Sequence, residues 1–204
     1  MIGIVNYGAG NVKAIQKIFR DNNIPHKIAE TAEAISNCDK LILPGVGHYD
    51  YVIRKLKDSN LIHPLNEAVL EKKKPILGIC VGMQILGNSS EEGNEQSLGW
   101  IPGEVKQFDK SLLKNKPYLP HMGWNTVIPS AENPLFKGIN SEKGFYFVHS
   151  FYFKASNHDH VLSTTDYGIT FHSSINSENI FGTQFHPEKS HRNGERLLIN
   201  FVNL

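Results

Sequence analysis

A glycine-flanked cysteine at residues 78–82, Gly-Ile-Cys-Val-Gly, places the strongest constraint on the fold of this chain. It directly follows residues 74–77, which have the apolar character of a buried strand, and a strand-to-helix turn around one such side chain is typical of a nucleophile elbow. Glycine suits positions 78 and 82 because crowding against the following helix leaves no room for a Cβ. The helix N-terminus would favour the thiolate form of Cys80. The alternative is that Cys80 is only a small buried apolar residue.

The first half of the chain alternates between short apolar segments and segments with a helical period. This pattern predicts strands over residues 1–5, 25–29, 40–43 and 75–79, and helices over residues 11–20, 49–56, 63–71 and 83–86. Strands that are apolar throughout indicate a parallel sheet covered by helices on both faces. In such sheets the functional site lies at the carboxyl ends of the strands, where residues 44–47 and Cys80 are both found.

The second half of the chain changes character and predicts short strands separated by turn residues. These strands are expected over residues 103–108, 124–128, 145–148, 151–154, 160–165, 169–174 and 180–184, followed by an amphipathic helix over residues 195–202. Residues 89–96 are expected to form a solvated, mobile polar loop. The sequence therefore predicts a three-layer α/β fold, with a mostly parallel central sheet, helices on both faces and added antiparallel strands. Because no repeat or linker divides the chain, residues 1–204 are expected to form one domain.

Composition and charge exclude several classes of function. The chain has 204 residues, of which 40% are hydrophobic, enough for a large core, and its net charge of +1 gives no electrostatic case for binding nucleic acid or a membrane surface. The N-terminal residues have neither a basic segment nor a cleavage site, so they are expected to form a strand rather than a signal peptide. With only two cysteines, Cys38 and Cys80, the chain is expected to be cytoplasmic, with Cys38 an ordinary semi-buried residue.

Two further side chains complete a nucleophilic constellation. The segment Gln-Phe-His-Pro-Glu-Lys-Ser at residues 184–190 follows the last predicted strand. In an extended backbone residues two apart point the same way, so His186 and Glu188 are expected to share a face. A thiol nucleophile needs an imidazole as its base, and the imidazole needs a carboxylate to fix its tautomer. The sequence therefore predicts a triad of Cys80, His186 and Glu188, against the alternative that the latter two are ordinary surface residues.

The tetrapeptide Pro-Gly-Val-Gly at residues 44–47 is expected to supply an oxyanion hole. Its glycines let the backbone approach a substrate closely, with backbone N–H groups available as donors. The N–H of Val81, directly after the nucleophile, is the natural second donor. The alternative is a plain turn that ends the strand.

With these segments, the chain resembles the class I (triad) glutamine amidotransferases. Three further motifs, residues 6–11 (Asn-Tyr-Gly-Ala-Gly-Asn), 120–125 (Pro-His-Met-Gly-Trp-Asn) and 146–150 (Tyr-Phe-Val-His-Ser), are similar to those of the glutaminase subunits of imidazole glycerol phosphate synthase. The resemblance runs nearly from end to end. It implies a flavodoxin-like α/β fold and hydrolysis of glutamine to glutamate and ammonia through a γ-glutamyl thioester on Cys80. It also implies that the backbone N–H groups of Val46 and Gly47 serve the oxyanion and that no metal or organic cofactor is needed.

The resemblance further implies a glutamine site and a partner. Gly47 and Gln84 would line the site, and His149, Ser150 and Phe151 would hold the α-amino and carboxylate ends of glutamine. Ammonia would pass through a tunnel to a (β/α)8-barrel synthase subunit in a heterodimer. The positions that match the family's partner interface are Asn11, Trp124, Asn125 and Lys189. The alternatives are that Trp124 is a core residue and that Lys189 is a solvated charge, while a metal site at His121 and His149 has no matching ligand spacing.

Some segments depart from the family pattern and leave the ammonia acceptor open. They are His48-Tyr49-Asp50 after the glycine tetrapeptide, residues 191–194 and Trp100. They are similar to a paralogous branch that supplies ammonia for amidation of a cell-surface sugar, which is the alternative to histidine biosynthesis. A non-catalytic scaffold would be expected to have a broken triad, and a free γ-glutamyl hydrolase would have no need of the motif at residues 120–125.

Overall fold

The computed structural model describes residues 1–113 and 118–204. Its strands are β1 Ile2–Val5, β2 His26–Ala29, β3 Lys40–Gly45, β4 Ile76–Cys80, β5 Ser89–Ser90, β6 Gly103–Gln107, β7 His121–Asn125, β8 Ile128–Pro129, β9 Phe145–His149, β10 Phe151–Ala155, β11 Val161–Asp166, β12 Thr170–Ser177 and β13 Ile180–Thr183. Its helices are α1 Val12–Asp21, α2 Ala32–Ser36, α3 Tyr49–Asp58, α4 Ile62–Asn66 with a π-helical continuation Glu67–Glu71, α5 Val81–Gln84 and α6 His191–Val202. Short 3₁₀ turns cover Lys110–Leu112, Pro134–Phe136, His158–His160 and Pro187–Lys189.

An eight-stranded sheet forms the centre of the molecule, in the order β2-β1-β3-β4-β13-β12-β11-β8. Strands β2, β1, β3, β4 and β13 are parallel, whereas β12, β11 and β8 continue the sheet in antiparallel pairing. All residues of β1 and β4 are buried. Because alternate side chains of a strand point to opposite faces, both faces of the sheet are covered there. The predicted α/β class, with a mostly parallel sheet extended by antiparallel strands, is confirmed.

The parallel register brings two of the predicted segments to one edge. Strands β3 and β4 pair so that Gly45 lies opposite Cys80 at their carboxyl ends. The loop that leaves β3 therefore starts beside the cysteine. This edge is the one at which parallel α/β sheets place their sites.

A separate two-stranded sheet, formed by β7 and β9, lies beside this edge. Strands β7 and β9 pair antiparallel, with His121 opposite His149. The backbone N–H of His186 donates to the carbonyl of Tyr146 in β9 at 2.9 Å. Strand β10 then enters a separate three-stranded sheet of order β10-β6-β5. Strand β9 thus links residue 186, which follows the last strand of the central sheet, to residues 149–151.

Among the differences between the predicted and the observed elements, three have a clear physical reason. The strand expected over residues 124–128 is two strands, β7 and β8, in different sheets; β7 ends where the Thr126 N–H donates to the Asn125 side chain. Helix α6 starts at His191 rather than at residue 195, and its Gly194 packs so closely on the preceding turn that a Cβ would lie 1.7 Å from the Pro187 carbonyl oxygen. The loop over residues 89–96 is not simply solvated, because the Glu95 N–H donates to Asp50 of α3 at 3.0 Å.

Candidate active site

The turn around Cys80 has the geometry of a nucleophile elbow. Cys80 has φ 56° and ψ −113°, a backbone conformation that few non-glycine residues adopt. A Cβ on Gly82 would lie 2.0 Å from the Leu43 carbonyl oxygen, and one on Gly78 would lie 2.5 Å from the Gly82 carbonyl oxygen. Both glycines are therefore needed for α5 to fold back on β3 and β4. This packing holds Cys80 at the start of α5, at the carboxyl edge of the sheet.

His186 and Glu188 are bonded to each other, although not for the reason that the sequence suggested. Residues 187–189 form a 3₁₀ turn rather than an extended strand, so the alternation of side chains does not apply. The turn still brings the Glu188 carboxylate to 2.8 Å from Nδ1 of His186, and both side chains are almost fully buried. Because a carboxylate only accepts, Nδ1 carries the proton and Nε2 is the atom left for chemistry.

The charges around His186 favour its protonated form. Burial acts to lower the pKa of His186, but the charge and hydrogen bonding of Cys80 and Glu188 outweigh it and raise the pKa to about 10. The Nε2 atom is buried and makes no hydrogen bond of good geometry to the described residues. The arrangement can therefore hold a thiolate–imidazolium pair and deliver a proton from Nε2.

The segment that follows β1, residues 6–11, packs against the glycine tetrapeptide at residues 44–47 and supports it. The Tyr7 hydroxyl donates to the Pro44 carbonyl at 2.6 Å, and burial together with the charge of Cys80 raises the pKa of Tyr7. A Cβ on Gly10 would lie 2.8 Å from the Pro44 ring. Gly47 has φ +112°, in the region that favours glycine. The motif at residues 6–11 thus supports the loop of the predicted oxyanion hole, a role that its sequence did not indicate.

A pocket of about 380 Å³ opens over the cysteine. The predicted residues that line it are Val46, Gly47, Cys80, Val81, Gln84, His149, Ser150, Phe151, His186 and Lys189. Of the triad, only Glu188 does not line it, since this carboxylate lies behind His186. A larger cavity of about 760 Å³ lies between Pro129 and Lys137 and is lined by none of the predicted site residues. The smaller pocket is therefore the candidate active site, because Cys80 and His186 line it.

Glu92 also lines the pocket and was missed by the sequence reasoning. Its Oε2 accepts from the backbone N–H of Tyr49, the first residue of α3, at 2.9 Å. A Cβ on the adjacent Gly93 would lie 1.9 Å from Oδ1 of Asp50, so the loop packs closely on this helix. The only sequence signal was a row of carboxylates in a polar segment, which is equally typical of a solvated loop.

Two glutamines and His149 form a hydrogen-bonded network next to the thiol. Gln84 and His149 line the pocket, and Gln184 lies against the Cys80 sulfur. Gln84 Nε2 donates to the Phe151 carbonyl at 3.1 Å and to Oε1 of Gln184 at 3.0 Å, and Gln184 Nε2 lies 3.7 Å from the Cys80 sulfur. The His149 imidazole bonds to the Phe151 carbonyl at 2.8 Å and to His121 at 2.9 Å. Burial, with the neighbouring His121, lowers the pKa of His149 to about 3, so this ring is neutral.

The predicted interface residues lie at or near the surface. Trp124 is 46% exposed and stacks on His191 with ring centroids 5.2 Å apart, so the alternative of a core residue is wrong. Lys189 is exposed, with Nζ 5.6 Å from the centre of the Tyr146 ring. Asn11 and Asn125 are half-buried. A partner role for these residues stays a prediction.

Residues 1–113 and 118–204 show neither a metal-binding cluster nor a membrane-spanning helix. No group of three or more His, Cys, Asp or Glu side chains among them is placed to hold a metal ion. Within the same ranges, no helix has both the length and the apolar character to cross a membrane.

Comparison with known proteins identifies the family. Residues 4–204 match the class-I glutamine amidotransferases. The chain is 45% identical to the imidazole glycerol phosphate synthase subunit HisH of Leptospira borgpetersenii, with 100% of both chains covered. It is 42% identical to the imidazole glycerol phosphate synthase subunit HisH 2 of Pseudomonas aeruginosa, again with 100% of both chains covered.

Solved structures show the same fold at lower identity. PurLQS from Thermotoga maritima superposes with a TM-score of 0.71 at 17% identity, covering 99% of this chain and 97% of that chain. A glutamine amidotransferase from Thermotoga maritima superposes with a TM-score of 0.63 at 20% identity. The match covers 99% of this chain and 82% of that chain. The family match and the full-length relatives show that this chain belongs to the class-I glutamine amidotransferases and, within them, to the imidazole glycerol phosphate synthase subunits HisH.

Proposed function

We propose that this chain is the glutaminase subunit of an imidazole glycerol phosphate synthase in histidine biosynthesis. The observation that carries the proposal is the bonded His186–Glu188 pair beside Cys80, in a chain 45% identical to relatives that bear that name. The subunit hydrolyses glutamine to glutamate and supplies the ammonia to the synthase partner. We also propose that residues 1–204 form one amidotransferase domain and that the protein works in the cytoplasm.

The first half of the reaction forms a thioester. The Cys80 thiolate attacks the side-chain amide carbon of glutamine, and the carbonyl oxygen becomes an oxyanion that would accept from the backbone N–H groups of Val46, Gly47 and Val81. Imidazolium Nε2 of His186 then gives its proton to the amide nitrogen, the C–N bond breaks and ammonia leaves. Glu188, bonded to Nδ1, holds the ring in position and stabilises its charged form.

The second half releases glutamate. His186, now neutral, takes a proton from water as that water attacks the γ-glutamyl thioester. The tetrahedral intermediate collapses with loss of the Cys80 thiolate, and the imidazolium is restored. One glutamine and one water thus give one glutamate and one ammonia, with no other reactant consumed.

The polar groups around the pocket suit the α-amino acid end of glutamine. Both N–H groups of the Gln84 amide are used by the Phe151 carbonyl and by Gln184, which leaves its Oε1 to accept from a ligand. The Glu92 carboxylate lines the same pocket and would attract the α-ammonium group. Residues 149–151 then remain to hold the α-carboxylate. This division assigns the two charged groups of the substrate to different residues of the pocket.

The partner is proposed to be a (β/α)8-barrel synthase subunit that docks on the face carrying Asn11, Trp124, Asn125 and Lys189. An exposed tryptophan is a residue type that protein interfaces favour. Ammonia released at Cys80 would then enter the barrel without passing through bulk water. There it would serve the step that yields imidazole glycerol phosphate and an aminoimidazole carboxamide ribonucleotide.

The relatives favour the histidine-pathway acceptor over the surface-sugar alternative. They are named as imidazole glycerol phosphate synthase subunits, and the match covers both chains from end to end. The test is glutamate release from glutamine by the purified chain, alone and with the barrel subunit, with and without the histidine-pathway nucleotide. Strong stimulation by the nucleotide is expected. Stimulation by the partner with no response to the nucleotide would contradict the assignment to histidine biosynthesis.

A further inference from the structure

A chain of hydrogen bonds, of which the central one is buried, connects the two-stranded sheet of β7 and β9 to the glutamine pocket. Asn125 Nδ2 lies 3.2 Å from Nε2 of His121, His121 Nδ1 lies 2.9 Å from Nε2 of His149, and His149 Nδ1 lies 2.8 Å from the Phe151 carbonyl oxygen. His121 and His149 are 2% and 6% exposed. These bonds form what is called here the histidine relay, made of Asn125, His121 and His149.

The two ends of the histidine relay fix the direction of every bond in it. A carbonyl only accepts, so His149 must carry its proton on Nδ1, and as a neutral ring it then accepts at Nε2. His121 must therefore donate from Nδ1. At the other end, Asn125 Nδ2 also donates to the Asp166 carbonyl at 2.8 Å and its Oδ1 accepts from the Thr126 N–H, so its amide cannot flip. The Nε2 of His121 is thus an acceptor.

The inner end of the histidine relay is shared with a pocket residue. The Phe151 carbonyl accepts from His149 and also from Gln84 Nε2 at 3.1 Å. If His149 changed to the other neutral tautomer, the lone pair of Nδ1 would face this carbonyl oxygen, and the two would repel. The carbonyl would then shift and release the Gln84 amide, which lines the pocket.

We propose that His121 is a positioning residue for glutamine. By holding His149 in its Nδ1–H tautomer, it fixes the Phe151 carbonyl and hence the Gln84 amide, and it ties the glutamine pocket to Asn125 beside the exposed Trp124. The inference rests on the proposed function, since it concerns how the same pocket holds glutamine. It identifies a residue outside the pocket that sets the affinity of the pocket.

The test compares two substitutions at one position. His121→Phe keeps the ring that stacks between Phe147 and Tyr167, whose centroids lie at 4.6 Å and 4.0 Å, but removes the donor to His149. His121→Asn loses the ring and keeps a donor close to the place of Nδ1. We expect His121→Phe to raise the KM for glutamine about tenfold, as loss of one buried hydrogen bond in the network would, with a smaller change in kcat. His121→Asn should restore KM to within about threefold of the parent.

Met122→Ala is the matched control, since Met122 lies on the same strand and is 61% exposed. A purely structural role for the ring predicts the reverse order, with His121→Asn the worse variant, and that order or an unchanged KM in His121→Phe would overturn the proposal.

The tautomer of His149 can be measured without turnover, so it tests the histidine relay independently of activity. Nitrogen-15 NMR of labelled histidine should show His149 as the Nδ1–H tautomer in the parent and a mixture in His121→Phe. An Nε2–H tautomer in the parent would overturn the relay. If the parent gives the expected tautomer but releases no glutamate, the proposed function fails while the relay stands.

Discussion

At the scale of single residues, the chemistry of the site depends on the charges that surround the His186 imidazole. His186 is nearly buried, yet its pKa is raised to about 10, because the charges of Cys80 and Glu188 outweigh the cost of burial. The imidazolium is therefore the resting form near neutral pH, ready to protonate the leaving nitrogen. The same pair shows why a histidine next to a carboxylate is a stronger indicator of catalysis than either residue alone.

Replacing Glu188 by glutamine should slow glutamate release by something on the order of 10- to 10⁴-fold, because it removes the negative charge and weakens control of the tautomer while keeping the shape. Steady-state kinetics of the variant measure this. The control is Glu178→Gln, an exposed carboxylate that pairs with Lys73. An unchanged rate in Glu188→Gln would remove this residue from the triad.

Glu92→Gln should raise the KM for glutamine roughly tenfold with little change in kcat, since it removes the negative charge facing the α-ammonium group. A glutamine oxygen can still accept from the Tyr49 N–H, so the loop should stay in place. Glu95→Gln, in the same loop but paired with Lys57, is the matched control. Equal effects of the two substitutions on KM would show that loop structure, not charge, is responsible.

At the scale of elements, the elbow works because three backbone segments nearly touch. A Cβ on Gly45 would lie 2.4 Å from the Gly82 nitrogen, and one on Gly82 would lie 2.0 Å from the Leu43 carbonyl oxygen. Strand β3, strand β4 and helix α5 therefore meet where only glycine fits. The position of Cys80 is set by this contact rather than by the conformational preference of the cysteine itself.

Gly82→Ala should lower the free energy of unfolding by about 1–3 kcal/mol, because the added methyl group must push α5 away from β3, and it should abolish most glutaminase activity by moving Cys80. Thermal unfolding and glutamate release measure the two effects. Gly138→Ala is the control for activity: its φ of +72° makes alanine strained there too, but no atom lies closer than 4.0 Å to its Cβ, so it should lose stability and keep glutaminase activity. Normal activity in Gly82→Ala would contradict the packing argument.

The elements also show what the sequence could predict. The apolar strands, the elbow and the triad follow from local patterns, because strand burial, crowding at glycine and the chemistry of a thiol each leave a local signal. Residues 89–96 have no such signal, since their place is set by contacts with α3 that lie more than 40 residues away along the chain, such as Glu95 N–H to Asp50. The orientation of the His149 ring likewise depends on His121, a pairing set by the register of β7 and β9.

At the scale of the whole molecule, the pocket and the proposed docking face adjoin each other. Lys189 lines the pocket, and its Nζ lies over the Tyr146 ring, which in turn contacts the Trp124 ring with centroids 6.5 Å apart. A partner bound over Trp124 would therefore cover the region next to the mouth of the pocket. This proximity favours direct transfer of ammonia between subunits.

Trp124→Ala should weaken association with the barrel subunit by about tenfold or more, since an exposed aromatic at the centre of an interface often contributes at least 1–2 kcal/mol. Titration calorimetry of the two subunits measures this. The control is Leu70→Ala, which removes a 41% exposed side chain just before β4, at the opposite edge of the sheet. Equal affinities for Trp124→Ala and the parent would place the interface elsewhere.

The most direct test of the account is glutamate release by Cys80→Ser beside Cys38→Ser, with the barrel subunit present. Cys38 was expected to be semi-buried but is only 1% exposed, because it packs on Gly3 of β1, where a Cβ would lie 2.6 Å from its Sγ. Its thiol donates to the Ala34 carbonyl at 3.1 Å, a bond that serine can keep, so Cys38→Ser should behave like the parent. Cys80→Ser should release no glutamate, while its complex should still use free ammonium. Glutamine-dependent turnover retained by Cys80→Ser would contradict the assignment of Cys80 as the nucleophile.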